Sequence, residues 1–284
     1  MTKIGFITDE ASQNFEEAAQ LAVRYGLTGL EIRSVNNKAP QELSDDEIKE
    51  IAAIKNKYGL AVPAISSPFF KCELESDLAE QMQILERCIV LAKAVGAKLI
   101  RGFTFWKHDD FDARLDEIVR AFDKPIEMLE AADMQMVLEF DPNVYACNAT
   151  RLKAVIEAVG SPRVQALWDP GNLMFLDPVQ RPEDGFALVS PYVRHVHLKD
   201  ARLVDGQMKA VCLGTGEVDY KAHLAAIAAS GYDGYYMLET HYRLTTQIDH
   251  ALLEMPKGDA FSYMGYEATE ESLQAWEKIR SNPA

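Results

Sequence analysis

The stretch Val193–Asp200 reads VRHVHLKD and places two of the chain's six histidines at alternate positions of an apolar run. Alternation with a period of two is typical of a β-strand, so His195 and His197 point to the same face. His197 lies near the carboxyl end of this strand, and His195 lies about 6–7 Å deeper. Both could be hydrogen-bonded core histidines. We expect instead that His197 is functional and His195 supports it, because three other apolar runs also end in a residue type that binds metals.

Strand-like runs recur along the chain, and each is followed by a segment in which apolar residues have helical spacing. Eight such units in 284 residues predict parallel strands with right-handed crossovers, which gives an α/β fold of the (β/α)8 TIM barrel type as a single domain over residues 1–284. The alternative is a doubly wound open sheet, whose dinucleotide-binding form needs a GxGxxG motif that does not follow the first strand here. The predicted strands are Lys3–Thr8, Leu27–Arg33, Leu60–Ser66, Lys98–Phe103, Met134–Phe140, Val164–Asp169, Val193–Leu198 and Tyr235–Glu239.

The amino-acid composition indicates which kinds of partner and which cellular compartment to expect. Acidic residues outnumber basic ones 44 to 29, and the net charge of −15 disfavours nucleic acid and anionic membrane surfaces as partners. The four cysteines form no CxxC pair, which indicates free thiols in a reducing compartment. No apolar run approaches the ~18–20 residues of a membrane span, and the first residues, MTKIGFITDE, do not resemble a signal peptide. We therefore expect a cytoplasmic protein.

The segment Leu244–Gly265, after the last predicted strand, is long and contains Pro256 and Gly258. Long connections in compact domains are often functional. We interpret this one as a lid or as a contact in a homo-oligomer, either a dimer or a tetramer.

Four consecutive predicted strands end in potential metal ligands, namely Glu139, Asp169, His197 and Glu239. In a barrel, the carboxyl ends of the strands form the functional face. Three carboxylates in one apolar mouth repel one another and lose hydration, so they require a cation. One divalent ion is therefore predicted. Oxygen-rich ligands favour Mn²⁺ or Mg²⁺, while Co²⁺, Fe²⁺ and Zn²⁺ stay open.

The motifs around these positions resemble those of the xylose isomerase-like TIM barrel superfamily, the sugar phosphate isomerase/epimerase group related to ketose 3-epimerases and inosose dehydratases. The resemblance extends over nearly the whole chain. It implies that Glu139, Asp169, His197 and Glu239 bind one divalent metal, and that Glu139 and Glu239 are also the catalytic pair. The motifs are LEF at 138–140, DPGN at 169–172, HVHLKD at 195–200, GTGEVDY at 214–220 and LET at 238–240.

Two positions differ from the ketose epimerase pattern. Asn172 stands three residues after the metal-binding Asp, where those enzymes have His, and Leu203 stands where they have Arg, with Arg202 one residue earlier. The HLKD form at 197–200 is closer to the inosose-type members. The predicted substrate-binding residues are Asn172, Lys199, Arg202, His241 and Trp106. The loop at 214–216 could be an anion-binding nest or a simple turn.

The predicted function is that of a metal-dependent isomerase or epimerase acting on a sugar or sugar phosphate. A metal chelated by the carbonyl and a neighbouring hydroxyl of a polyhydroxylated substrate acidifies the adjacent C–H bond. One glutamate removes that proton to give an enediolate, and the other returns a proton on the opposite face. Loss of a β-hydroxyl instead gives a dehydratase of inosose or dehydroshikimate type. A non-catalytic sugar-binding barrel is the third hypothesis.

Overall fold

The computed structural model describes residues 3–176, 179 and 181–281. Within this part of the chain the strands are β1 (Ile4–Ile7), β2 (Gly29–Glu31), β3 (Ala64–Phe69), β4 (Leu99–Gly102), β5 (Gln135–Glu139), β6 (Val164–Trp168), β7 (Val193–Leu198), β8 (Asp200–Val204), β9 (Gln207–Val211) and β10 (Tyr236–Leu238). The helices are α1 (Thr8–Ala11), α2 (Phe15–Arg24), α3 (Asp45–Lys57), α4 (Leu78–Val95), α5 (Phe111–Ala121), α6 (Asp123–Ala132), α7 (Ala149–Val159), α8 (Pro170–Met174), α9 (Pro182–Val189), α10 (Tyr220–Ala229), α11 (His250–Glu254), α12 (Gly258–Ser262) and α13 (Gly265–Ser281).

Eight parallel strands form the barrel in the order β2-β1-β10-β7-β6-β5-β4-β3. The two edge strands meet through the bridges Gly29–Ala61 and Ile32–Ile65, which close the ring. All eight predicted strands are present, and the predicted (β/α)8 barrel is confirmed. Among the described residues, no helix combines the length and apolar character needed to cross a bilayer.

Three local features were not predicted from the sequence. Apolar residues at helical spacing predict one helix over Phe111–Ala132, whereas the structure has two helices that meet at Phe122, because Pro125 has no N–H to continue the backbone hydrogen bonds. The segment at 244–265, treated as one connection, contains α11 and α12. A hairpin, β8–β9, follows the seventh barrel strand. Its turn residues Asp205 and Gly206 have φ values of 52° and 77°, as a two-residue type I′ turn requires.

The outer layer contains a buried hydrogen bond between an indole and an imidazole. Trp168 at the end of β6 donates from Nε1 to His223 Nε2 of α10 at 2.6 Å, and both rings pack against Phe186 of α9. Because Nε2 accepts this bond, the His223 ring is neutral. Burial lowers the pKa of His223 to about 4, with Asp219 opposing the shift.

We expect neutral His223 to make the stability of the protein depend on pH. Between pH 6.5 and 4 the unfolded chain binds a proton at this ring and the folded protein does not. The free energy of unfolding should therefore fall as the pH is lowered through this window, by up to about 1.4 kcal/mol per pH unit. Urea unfolding at pH 7, 6 and 5 should show a smaller fall for His223→Gln, which keeps an acceptor for Trp168. Equal slopes in the two proteins would contradict the assignment.

Candidate functional site

The carboxyl ends of β5, β6, β7 and β10 bring together Glu139, Asp169, His197 and Glu239. Each contributes one ligand atom, and these atoms all lie within 4.8 Å of one another. The four side chains are buried, with exposed fractions of 0–2%. Their convergence follows from the strand register, which pairs Glu139 with Leu167 and His197 with Met237 on neighbouring strands. The predicted grouping of the four residues is therefore present in the fold.

Two atoms of this group have no hydrogen bond to any residue that the structure describes. His197 Nδ1 is buried and unbonded, and it lies 3.5 Å from Glu139 Oε1 and from Glu239 Oε2. Asp169 Oδ2 also has no aligned hydrogen-bond donor, although Lys199 Nζ lies 2.7 Å away as an ion pair. An imidazole nitrogen and three carboxylates are a donor set that a divalent cation accepts. These residues therefore fit one metal ion.

Basic side chains surround the same carboxylates. Lys199 Nζ lies 2.7 Å from oxygens of both Asp169 and Glu239, and Arg101 Nη1 lies 2.9 Å from Glu139 Oε2. Arg33 Nη1 lies 2.5 Å from Glu239 Oε1. Burial raises the pKa of Asp169, and Glu239 and Glu139 add to this effect against the opposing charge of Lys199. At Asp169, burial together with the two neighbouring carboxylates thus outweighs the charge of Lys199.

The charges linked by ion pairs to the four residues do not balance. Among the described residues, this group contains six buried carboxylates and four buried cations, so two negative charges remain when every carboxylate is ionised and the imidazoles are neutral, which are the forms that bind a metal. One divalent ion would neutralise them. The carboxylates are Asp9, Glu10, Glu31, Glu139, Asp169 and Glu239, and the cations are Arg33, Arg101, Lys199 and Arg243.

Arg33 joins the first two strands to the last. It binds Asp9 through Nε at 3.0 Å, Glu10 through Nη2 at 2.7 Å and Glu239 through Nη1. Burial opposes ionisation of Glu10, but the Arg33 and Arg243 guanidinium groups help to lower its pKa to about 2. Asp9 and Glu10 are not among the predicted site residues, even though they directly follow the first predicted strand. That position is the signal that could have identified them.

A cavity of about 330 Å³ opens onto the group. Three of the predicted substrate-binding residues, Asn172, Lys199 and His241, line it together with Glu139 and Glu239. Asn172 Nδ2 donates to Glu139 Oε1 at 3.2 Å, so it orients one proposed catalytic carboxylate. The wall also includes residues outside the predicted substrate set, namely Lys71, Arg101 and Phe103.

Two predicted substrate-binding residues lie elsewhere. Arg202 donates to the Thr215 carbonyl at 3.4 Å and is exposed on β8, where Asp200 and Ala201 are buried and both Arg202 and Leu203 are exposed. Trp106 is half-buried in a bridge with Val144, where the Lys71 ammonium lies 5.6 Å from its ring centre. Neither is among the described residues that line the cavity.

Backbone N–H groups in and next to the glycine loop at 214–216 bind a carboxylate of the protein itself. The backbone N–H groups of Gly214 and Gly216 donate to Asp200 Oδ2 at 2.8 and 2.9 Å, and that of Val218 donates to Oδ1 at 3.2 Å. The Asp200 carboxylate therefore occupies the position that a bound anion would take in a nest. Of the two predictions for this loop, the turn fits the structure.

Comparisons with known proteins agree with this architecture. A model of the xylose isomerase-like TIM barrel family matches residues 19–259. L-ribulose-5-phosphate 3-epimerase UlaE of Salmonella paratyphi C is 23% identical over 163 residues, which are 57% of this chain and 56% of that protein. The matched region thus spans little more than half of that curated relative.

Solved structures extend the similarity over the whole barrel. The IolI protein with a bound zinc atom has a TM-score of 0.77 at 16% identity, covering 100% of this chain and 99% of that one. The probable 3-DHS dehydratase AsbF of Bacillus anthracis has a TM-score of 0.75 at 18% identity, covering 100% of both chains. At these identities the likeness establishes the fold.

Proposed function

Because the chain belongs to the xylose isomerase-like TIM barrel family, we propose that it is a divalent-metal-dependent isomerase or epimerase of a sugar or sugar phosphate. The observation that supports this most directly is the buried grouping of Glu139, Asp169, His197 and Glu239, of which Glu139 and Glu239 line the cavity. The similarity to UlaE, an epimerase of a ketose phosphate, supports the same reaction class.

The four residues would hold the metal through three carboxylates and His197 Nδ1. When bound, a divalent ion supplies Lewis acidity that polarises a substrate carbonyl. Mn²⁺ or Mg²⁺ suits the three oxygen donors, and the zinc in the IolI structure keeps Zn²⁺ among the candidates.

Glu139 and Glu239 would move the proton. They lie on β5 and just after β10, with β6 and β7 between those strands, so they can face a substrate from two sides. Asn172 and Arg101 donate to Glu139, while Arg33 and Lys199 donate to Glu239. These bonds keep both carboxylates ionised and oriented. One glutamate accepts a proton from the carbon beside the carbonyl, and the other delivers a proton to the opposite face.

A dehydratase is the second candidate, and the position of Lys199 favours it. Its buried ammonium lies on the cavity wall, where it could protonate a departing hydroxyl after a glutamate has removed the neighbouring C–H proton. The hydroxyl and the Lys199 proton leave as water, and the protonated glutamate then returns a proton to Lys199. The likeness in fold to AsbF, a probable 3-DHS dehydratase, adds a reason to test this reaction.

Incubating the metal-loaded protein in D2O with free and phosphorylated ketoses, an inosose and dehydroshikimate should distinguish the candidates by NMR. An epimerase or isomerase would place deuterium at the carbon next to the carbonyl as the product forms. A dehydratase would release water and give a new unsaturated product. Ligand shifts with no exchange and no product would support the non-catalytic hypothesis and contradict the proposed activity.

A further inference from the structure

A second buried group shares His197 with the four proposed ligands. It consists of Glu31 from β2, Ser66 from β3, and His195 and His197 from β7, and all four side chains are fully buried. The strands β1 and β10 lie between β2 and β7, so Glu31 reaches His195 and His197 across the barrel interior. The sequence analysis does not assign Glu31 a role.

The Glu31 carboxylate accepts every hydrogen bond in this group. His195 Nε2 lies 2.7 Å from Oε2, His197 Nε2 lies 3.2 Å from each oxygen, and Ser66 Oγ donates to Oε1. Because an ionised carboxylate can only accept, both Nε2 atoms carry the hydrogen. A neutral His197 then has its lone pair on Nδ1, the atom that faces Glu139 and Glu239 without a hydrogen bond.

We infer that Glu31 is a positioning residue, which holds His197 with Nδ1 directed at the metal and Nε2–H on the carboxylate. His195 and Ser66 hold Glu31 in place. A carboxylate on the second nitrogen of a ligating histidine fixes the tautomer and ring orientation and increases the donor strength of the ligand. The inference rests on the proposed metal centre, and it explains why the chain places a second histidine in the VRHVHLKD stretch.

Glu31, His195 and His197 could also be regarded as ligands of another metal, since their ligand atoms lie within 4.8 Å of one another. The distances favour hydrogen bonding. Two ligands at about 2.0–2.1 Å from one tetrahedral ion are roughly 3.3 Å apart. His195 Nε2 and Glu31 Oε2 are 2.7 Å apart, which is a hydrogen-bond distance.

The tautomer can be read in the wild-type protein without a variant. Long-range ¹H–¹⁵N spectra of the histidine-labelled, Zn²⁺-loaded chain should show His197 bound to zinc through Nδ1 with a proton on Nε2. Metal analysis should give one ion per chain. Zinc on His197 Nε2, or a second ion on His195, would overturn the inference.

The contribution of Glu31 is tested with Glu31→Gln, which keeps the size but removes the negative charge. Affinity for Mn²⁺ and for Zn²⁺, measured by competition with a chelator, should fall about 10–100-fold. Glu31→Asp should restore part of the loss. His223→Gln is the matched control, because it removes another buried imidazole that does not contact this group, and it should leave metal affinity unchanged.

The outcomes distinguish failure of the proposed metal centre from failure of the role assigned to Glu31. A wild-type chain that binds no divalent metal contradicts the proposed function and, with it, the role of Glu31. A wild-type chain that binds one ion, while Glu31→Gln binds it equally well with the same His197 tautomer, leaves the metal centre intact and refutes the role of Glu31.

Discussion

Replacement of Glu139 or Glu239 by Gln is expected to lower turnover by about 10²–10⁴-fold, the usual contribution of a general base. Glutamine keeps a carbonyl oxygen that can still contact the metal, but it has no usable basicity. Each variant should therefore retain some metal and bind substrate. Steady-state kinetics on the substrate identified in the screen, together with metal analysis of the same samples, measure both effects.

The two variants should also differ from each other in deuterated solvent. If the glutamates act on opposite faces, the variant that keeps the proton-abstracting glutamate still exchanges the substrate proton but forms no product. The other variant does neither. Glu217→Gln is the matched control, because Glu217 is exposed and accepts from the Leu203 backbone outside the cavity. Near-normal turnover in both site variants with metal bound would refute the two-carboxylate mechanism, and Lys199 or His241 would then be the base to examine.

The four proposed ligands could be predicted from the sequence for a geometric reason. Each lies within one residue of the carboxyl end of a strand, and alternation fixes the face of a side chain while position along the strand fixes its depth. Neighbouring parallel strands end at the same side of a barrel, so Glu139, Asp169, His197 and Glu239 had to lie close together once the barrel was predicted.

Contacts across the barrel interior are harder to predict from the sequence. Glu31 lies in the predicted second strand, but its bonds to His195 and His197 pass across the barrel past two intervening strands. Strand order gives the neighbours of β2, and it does not show which side chain on the far wall is within reach. The same holds for Arg33, whose three acidic partners follow β1 and β10.

The exposed position of Arg202 was missed for a different reason, because the signal that indicates it lies close by in the sequence. The dipeptide Asp205-Gly206 is a strong signal for a type I′ hairpin turn. Recognising it would have placed Asp200–Val204 in the first strand of a hairpin, in which both Arg202 and Leu203 are exposed.

Removal of one ligand is expected to have the other large effect. Asp169→Ala and His197→Ala should reduce the metal content from about one ion per chain to a small fraction. Their affinity for the metal should fall by more than the factor of about 10–100 that is typical when a residue bonded to a ligand, and not the ligand itself, is replaced. Wild-type protein gains stability from an ion that binds only the folded state, about 2.7 kcal/mol when free metal is 100 times its Kd. Thermal unfolding with and without Mn²⁺ should show this gain in the wild type and not in the variants.

Asp169→Asn provides the sharper comparison, because it changes charge while almost preserving shape. Burial and the neighbouring Glu139 and Glu239 raise the pKa of Asp169, so its ionised form is costly without a cation. The asparagine variant should therefore be no less stable than wild type when both are metal-free, yet lose the stabilisation by Mn²⁺. Its activity should fall only in proportion to metal occupancy, unlike that of Glu139→Gln. Full metal occupancy in both Asp169→Ala and His197→Ala would contradict the assignment of these residues as ligands, because the bound ion would then depend on neither side chain.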